Sequence, residues 1–276
     1  MVASSQLSFP RHSAKTQRFT LGAPRTFTIS PDGQRILFVR SHSGTDRIGR
    51  LYQYDIHSDG EELLVDPLNL LVDGTEELSA EERARRERTR EAAGGITSYS
   101  TDQNCERITF VLSGKLYLFD IPKKKLTELA SASVVIDPQL APDGSAVAYI
   151  TPDGELHLSR DGNVEVLCVP EHEDIFYGTA EFVASEEMSR HHGFWWCADS
   201  KSLFVERFDQ SPVRKVWISD PANPDNPPRE VRYPFVGSPN VITSLFLLTI
   251  GDKSRKEIHW NSEHEYLCSV NPGDGK

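Results

Sequence analysis

The sequence has no long hydrophobic run and only four cysteines. No apolar stretch approaches the ~20 residues needed to cross a bilayer, so we expect no transmembrane segment. The stretch from Met1 to Arg18 carries basic residues but no hydrophobic core segment, so it does not resemble a signal peptide. The cysteines show no C-x-x-C spacing, which argues against structural zinc, and we expect them to be reduced thiols in a cytoplasmic protein.

Positive charge is the minority charge in this chain. The 30 lysines and arginines are outnumbered by 41 aspartates and glutamates, which gives a net charge of −11. This balance disfavours non-specific binding to nucleic acid or to an anionic membrane, and it favours cationic partners such as a peptide amino terminus. We therefore expect no nucleic acid, no membrane, no metal and no cofactor among the partners.

The sequence does contain a repeated pattern of turn and strand. Each copy has an aspartate in the turn, followed by a run of β-branched and aromatic residues that is typical of a strand. Further segments that alternate polar and apolar residues follow most copies, as expected for half-buried strands. The aspartates that mark the copies are Asp32, Asp102, Asp143 and Asp199.

The spacing of these copies predicts the fold class. Asp102 and Asp143 are 41 residues apart, which matches the roughly 40–50 residues of a propeller blade, and the longer spacings on either side each contain an insertion. We therefore predict an all-β fold over residues 1–276. It would be a partial β-propeller of about four to five blades of antiparallel strands, with two short helical insertions. A sandwich of antiparallel hairpins is the alternative.

The first insertion is rich in arginine. Ser79 and Glu82 have the spacing of a helix capping box, and Glu82 with Arg86 forms a favourable pair four residues apart. We predict a helix over residues 79–93, ended by Gly94-Gly95. The helix has no broad apolar face, so it must project into solvent or a cavity. A solvated surface is the ordinary interpretation of such a run.

The second insertion places two carboxylates side by side. Residues 180–190 predict a short helix with Glu186 and Glu187 in its last part, followed by a turn at 191–193 and a strand that opens with Phe194. The C-terminal end of a helix carries partial negative charge, so anions are disfavoured there. Two such carboxylates can converge on a primary ammonium group, although a solvated acidic surface is the ordinary interpretation.

The residues around these carboxylates resemble a known family. Ala180-Glu181-Phe182-Val183, Glu186-Glu187 and Gly193-Phe194-Trp195-Trp196 resemble the double-glutamate segment of the dipeptidyl peptidase IV family. These are serine peptidases of the prolyl oligopeptidase type, and the resemblance is closest to the soluble intracellular and bacterial members. It spans nearly the whole chain and continues through residues 204–209, 211–213, 233–234 and 237–240.

The resemblance implies a site and an activity. In that family the glutamate pair lies on a short helix inserted in a β-propeller and binds the free amino terminus of the peptide, so Glu186 and Glu187 are the expected substrate-binding residues. An arginine-rich helix of the family approaches the substrate, which makes Arg83, Arg86 and Arg90 further candidates. The family releases N-terminal dipeptides, often with proline or alanine second. In a complete enzyme we expect an α/β-hydrolase domain and a homodimer.

The sequence lacks the parts that cleave a peptide bond. It contains no G-x-S-x-G nucleophile elbow and no alternation of strands and long helices for an α/β-hydrolase sheet. We therefore expect no catalytic residues and no peptidase activity in this chain alone. We interpret it as the truncated, substrate-recognising N-terminal part of a serine exopeptidase. A non-enzymatic propeller that binds other proteins and a non-functional fragment are the alternatives.

Overall fold

The computed structural model describes residues 7–71, 74–79, 82–83, 86, 93–261 and 263–273. These residues form mainly β-strands, which pair with their neighbours in sequence order. The chain divides into two units, one of residues 1–149 with 159–164 and the other of residues 150–158 with 165–276.

Two four-stranded sheets belong to the first unit, and consecutive strands in them are antiparallel. The first sheet contains β1 (Arg25–Ile29), β2 (Arg35–Ser41), β3 (Ile48–Asp55) and β4 (Gly60–Val65), and β5 (Gly94–Gly95) joins β3 in parallel. The second sheet contains β6 (Ser100–Thr101), β7 (Arg107–Leu112), β8 (Lys115–Asp120) and β9 (Lys125–Leu129). A helix at Phe9–Lys15, a 3-10 turn at Pro67–Asn69 and the helical residues Glu82, Arg83 and Arg86 are further regular structure described there.

The third sheet has the same sequential order, and its residues are divided between the two units. It contains β10 (Ile136–Leu140), β11 (Val147–Ile150), β12 (Leu156–Arg160) and β13 (Asn163–Cys168). The fourth sheet lies in the second unit, with the order β14 (Ile175–Tyr177), β16 (Ser202–Asp209), β19 (Ile242–Thr249) and β20 (Arg255–Ile258).

Two insertions interrupt the fourth sheet. Between β14 and β16 the chain forms a helix, Phe182–Glu187, called the glutamate helix below, and then β15 (Phe194–Trp196), which pairs with β16. Between β16 and β19 it forms a separate hairpin of β17 (Lys215–Ile218) and β18 (Arg229–Arg232). The strands on either side of the glutamate helix, β14 and β15, therefore both pair with β16, and the helix is not part of a long free loop.

Four sheets, each built on a path of four hydrogen-bonded strands, confirm the prediction of a partial β-propeller within the described residues. The strands predicted after the aspartate turns, residues 35–40, 108–112, 146–150 and 203–206, agree with β2, β7, β11 and β16 to within three residues at each end. The sequence analysis missed the first strand of each sheet, namely β1, β6, β10 and β14. These strands are short or irregular: β10 contains Pro138, and β1 has a register shift and a left-handed Thr26 with φ 56°.

The aspartates that mark the repeat accept hydrogen bonds from backbone N–H groups of the turns. Asp32 accepts the backbone N–H of Gln34, and Asp143 accepts that of Ser145 at 2.9 Å. Asp102 and Asp199 each accept two backbone N–H groups from the start of the following strand. The side chain replaces a missing backbone acceptor at each turn, which explains why aspartate recurs at this position.

Each unit has its own apolar packing. In the first unit the core joins its two sheets through residues such as Leu37, Leu51, Ile108 and Phe110, all with 0% exposure. In the second unit the buried residues include Phe194, Val205 and Leu248. All four cysteines are free thiols, and burial raises the pKa of Cys168 to about 11. No helix in the described part of the chain is long and apolar enough to span a bilayer.

A close contact between two glycines fixes where the second insertion returns to the sheet. Gly178 and Gly193 form an isolated antiparallel bridge, and they lie on either side of the glutamate helix in sequence. A Cβ atom on Gly193 would lie 2.5 Å from backbone atoms of Gly178 and Thr179. Only a residue without a side chain allows the two backbone segments to approach this closely.

We predict that Gly193→Ala destabilises the protein by about 2–4 kcal/mol, because the clash is with backbone that cannot rotate away. Gly251→Ala is the matched control, since a Cβ atom there meets nothing within 4 Å. Urea unfolding of both variants measures the difference. Equal stabilities would show that the two backbone segments separate without cost, contrary to this account.

Candidate functional site

The glutamate helix begins at a buried carboxylate. Glu181 is 3% exposed, and its side chain accepts the backbone N–H groups of Val183 and Ala184, both at 2.6 Å. These are two of the N–H groups that have no partner within a helix, so the glutamate caps the helix. Ala184 has 0% exposure, so one face of the helix is buried.

The helix ends at its two glutamates. Glu186 and Glu187 are the last two helical residues, and both side chains are exposed. After them the chain turns sharply, because Ser189 adopts a left-handed conformation with φ 53°. The backbone N–H groups of Met188 and Arg190 both donate to the carbonyl of Ala184, at 3.2 and 3.1 Å. The structure therefore places two adjacent carboxylates at the negative end of a helix, as predicted.

The turn after the helix contains a buried arginine that binds a residue of the sheet. Arg190 is 7% exposed, and its guanidinium donates to both carboxylate oxygens of Glu206, one of them at 2.9 Å. It also donates to the carbonyl of His192 at 2.8 Å and to that of Leu267 at 2.9 Å. A planar guanidinium with five donors suits this arrangement, and a lysine does not.

Glu206 lies on the central strand β16 and has 0% exposure. Burial raises the pKa of Glu206 to about 7, and the nearby negative charge of Glu181 acts in the same direction, while the bonds from Arg190 oppose them. Its backbone carbonyl accepts from Gly178 and its N–H donates to Gly193, so the same residue supports the bridge between the glycines. Arg190 and Glu206 thus tie the end of the helix to the middle of the sheet.

An aromatic group covers the start of the glutamate helix. The rings of Phe182 and Tyr233 meet edge to face at 5.5 Å, and those of Tyr233 and Phe235 at 5.0 Å. Arg214 lies 5.3 Å from the centre of the Phe235 ring, within the range of a cation–π contact. These side chains pack at the start of the glutamate helix, whereas Arg190 lies after its end.

A cavity of about 330 Å³ lies beside the end of the helix. It is formed by the turn that leaves the helix, by Trp195, and by a segment near the end of the described chain. The lining residues are Met188, Ser189, Arg190, His191, His192, Trp195, Cys268, Ser269 and Val270. Glu186 and Glu187 are next to this cavity in sequence but do not line it.

The arginine candidates lie in the first unit, and they differ from one another. Arg83 is exposed. Arg86 is 7% exposed and bonds to Glu76 through two nitrogens, at 2.6 and 3.1 Å, and to Glu82 at 2.6 Å. Arg90 lies outside the described residues. The predicted Glu82–Arg86 pair is confirmed, and Ser79 accepts the N–H of Glu82 at 3.1 Å, as expected of a helix cap.

No metal site is found among the residues that the structure describes, since no group of three histidine, cysteine, aspartate or glutamate side chains is suitably placed. His191 and His192 lie in the turn after the glutamate helix and are exposed, as the sequence analysis expected. The Nδ1 atom of His191 is 3.4 Å from the Ser185 hydroxyl. That distance marks a weak contact.

The sequence analysis missed Arg190 and Glu206 as parts of this site. One signal was available: Glu206 interrupts the apolar run of β16, and a glutamate in a buried strand requires a partner. The identity of the partner was hidden, because Arg190 is 16 residues away and separated from it by a turn. Glu181 was also missed as a cap, since its glutamate side chain is not among the usual N-cap residues.

Sheets of four strands repeated in sequence order, with a carboxylate-bearing helix inserted in the fourth, define a domain of the β-propeller type. Residues 98–271 match the family described as the dipeptidyl peptidase IV (DPP IV) N-terminal region. This match covers more than half of the chain and includes the glutamate helix. The chain belongs to this family.

Comparisons with individual proteins agree with this assignment. The chain is 29% identical over 151 residues to dipeptidyl-aminopeptidase B of Aspergillus niger, a match that covers 48% of this chain and 17% of that protein. It is 30% identical over 151 residues to a probable dipeptidyl-aminopeptidase B of Ajellomyces capsulatus, covering 48% of this chain and 16% of that protein. The chain thus matches less than a fifth of these relatives.

A solved structure has the same fold. The crystal structure of Porphyromonas gingivalis dipeptidyl peptidase 4 superposes with a TM-score of 0.67 at 18% sequence identity. The superposition covers 94% of this chain and 36% of that one. This likeness confirms the propeller-type fold of the chain.

We predict a pH dependence of stability that comes from Glu206. Its carboxyl group holds a proton more tightly in the folded chain, with a pKa of about 7, than in the unfolded chain, where 4.5 is usual. The resulting stabilisation is complete below the unfolded value and is lost as the pH rises through about 7, and it amounts to about 3 kcal/mol. Glu206→Gln should lack this contribution.

Denaturant unfolding of the wild type and of Glu206→Gln, from about pH 5 to about pH 8, measures the effect. The stability advantage of the wild type over the variant should shrink as the pH rises. An advantage that grows with pH would mean that Arg190, rather than burial, dominates the ionisation of Glu206.

Proposed function

We propose that this chain recognises the free amino terminus of a peptide, and that Glu186 and Glu187 bind its α-ammonium group. The observation that carries the proposal is the placement of two exposed carboxylates on the last two positions of a helix that is fixed at both ends. Membership of the dipeptidyl peptidase IV N-terminal family supports it.

The electrostatics of the helix support a cationic ligand. Two neighbouring negative charges at the negative end of a helix repel each other and the helix dipole, and an ammonium group relieves both effects. Arg190, a buried cation in the turn after the helix, directs its guanidinium at Glu206 and at backbone carbonyls. A primary ammonium has three donors, enough for both carboxylates and one further acceptor.

The proposal extends to the reaction that recognition would serve. The relatives named above are dipeptidyl peptidases, and we propose that this domain presents peptides to an α/β-hydrolase domain that releases N-terminal dipeptides, with proline or alanine second. Among the arginine candidates, Arg83 is proposed to approach the peptide, since it is exposed while Arg86 is buried among Glu76 and Glu82. Arg90 remains a candidate from the sequence.

A second candidate function is protein association. Trp217 and Ile218 on the β17–β18 hairpin are 62% and 50% exposed, and Val236 nearby in sequence is fully exposed. Exposed apolar side chains on a projecting hairpin favour a contact with another protein chain. In a complete enzyme we propose that such a contact joins two copies in a homodimer. The cytoplasmic location stays a prediction; the four free thiols are compatible with it.

We predict that the chain binds Ala-Pro amide through its free amino group and does not bind the N-acetylated form. Glu186→Gln and Glu187→Gln should each raise the Kd about ten- to a hundredfold, because each removes a charged hydrogen bond. Isothermal titration calorimetry measures both affinities.

Glu173→Gln is the matched control, because it removes the same charge from an exposed loop of the same unit. Its affinity should equal that of the wild type. If all three variants weaken binding alike, the effect comes from net charge and not from a site. If the acetylated peptide binds as well as the free one, the proposed recognition is wrong.

We further predict that this polypeptide does not hydrolyse Gly-Pro p-nitroanilide, because its sequence contains no nucleophile elbow. The test is absorbance after release of p-nitroaniline, with a complete dipeptidyl peptidase as the positive control. Turnover that co-purifies with the chain through several columns would reveal a nucleophile of another kind.

A further inference from the structure

The glutamate helix is too short to hold its own position. It has 6 residues, and isolated helices shorter than about 12–15 residues are marginal in water. Its place must therefore come from contacts with the rest of the fold, through the buried Ala184 and through both of its ends. At the start these are the Glu181 cap and the Phe182–Tyr233 ring contact. At the end, one residue makes most of the contacts, namely Arg190.

The contacts of Arg190 reach three different parts of the second unit. Its backbone N–H binds Ala184 within the helix, and its guanidinium binds Glu206 in the central strand β16. The same guanidinium binds the carbonyl of Leu267, in the segment that forms one wall of the cavity. The central carbon of this guanidinium also lies 5.9 Å from the centre of the Trp195 ring. The helix end, the sheet and the cavity wall are joined through this one residue, by its backbone N–H group and its guanidinium.

The ion pair of Arg190 and Glu206 also keeps the positive charge of Arg190 away from Glu186 and Glu187. A free guanidinium three or four residues beyond Glu186 and Glu187 would be a strong competitor for a ligand ammonium group. Glu206 prevents this, because its carboxyl group binds the guanidinium and both side chains are buried. The charged groups around Glu206 are Arg190 and Glu181, and both belong to the ends of the same helix.

We propose that Arg190 and Glu206 are positioning residues, which set Glu186 and Glu187 in the orientation that captures a peptide amino terminus. The inference rests on the proposed function of those glutamates. It adds that recognition depends on a buried ion pair that the ligand never touches. Loss of the pair should impair recognition more than it impairs folding.

The main test is the double variant Arg190→Met with Glu206→Met. Replacing both partners with apolar residues avoids an unpaired buried charge, and such replacements often leave stability unchanged. We expect the Kd for Ala-Pro amide to rise at least about tenfold, since small misplacements of binding groups are costly. We expect hydrogen exchange at the amides of residues 188 and 190 to rise by a similar factor, while exchange in β16 and β19 stays as in the wild type.

Arg50→Met is the matched control. Arg50 is 8% exposed and pairs with Asp46 and Asp66 at 2.5 and 3.0 Å, but it belongs to the first unit. Its loss should lower stability without changing the affinity for Ala-Pro amide. If the double variant fails to fold, Arg190→Lys takes its place, because lysine keeps the charge but cannot make the forked contacts. The same changes in exchange and affinity are expected.

The outcomes separate the two proposals. If the wild type binds the free peptide and the variant binds it equally well, the positioning role is wrong while the function of Glu186 and Glu187 stands. If exchange at residues 188 and 190 is unchanged in the variant, the pair does not hold the helix, and the inference is overturned. If the wild type binds no free peptide, the proposed function fails, and the recognition role of the pair fails with it.

Discussion

The second unit depends on the need to match a buried charge. Glu206 lies on a central strand with 0% exposure, where an isolated carboxylate would cost several kcal/mol. Arg190 meets that need, and in doing so it brings the end of an inserted helix down onto the sheet. The close approach of Gly178 and Gly193 is possible only because Gly193 lacks a side chain, and it completes the closure of the insertion.

Arginine anchors the first insertion in a similar manner. Arg86 binds Glu76 and Glu82 with its guanidinium and donates to the carbonyl of Ala93 at 3.2 Å, while Glu76 accepts the N–H of Gly95 at 2.8 Å. One buried cation therefore joins residues on both sides of the arginine-rich segment. In each insertion a forked side chain binds carboxylate and backbone carbonyl together.

Local chemistry explains how much of this was predictable from sequence. The aspartate turns and the strands after them were predictable, because an Asx turn and a β-branched run are both encoded within a few residues. Glu186 and Glu187 could be placed at a helix end for the same reason. The first strand of each sheet was not predictable, since β6 has only two residues and β10 contains a proline. Such strands exist because the neighbouring strand supplies their hydrogen bonds.

The contact between Arg190 and Glu206, in contrast, could not be predicted from local sequence patterns. Arg190 does not look unusual within its own segment, since an arginine in a polar turn is common. The one local signal, a glutamate in the apolar run of β16, does not identify its partner. The contact depends on the fold, because Glu206 is buried on β16 and the turn that contains Arg190 leads into β15, which pairs with the same strand. The residues expected to touch a ligand could therefore be inferred from a motif, whereas the residues that hold them required the fold. Sequence comparison limited to the glutamate pair would for that reason miss a variant that keeps both carboxylates and loses their orientation.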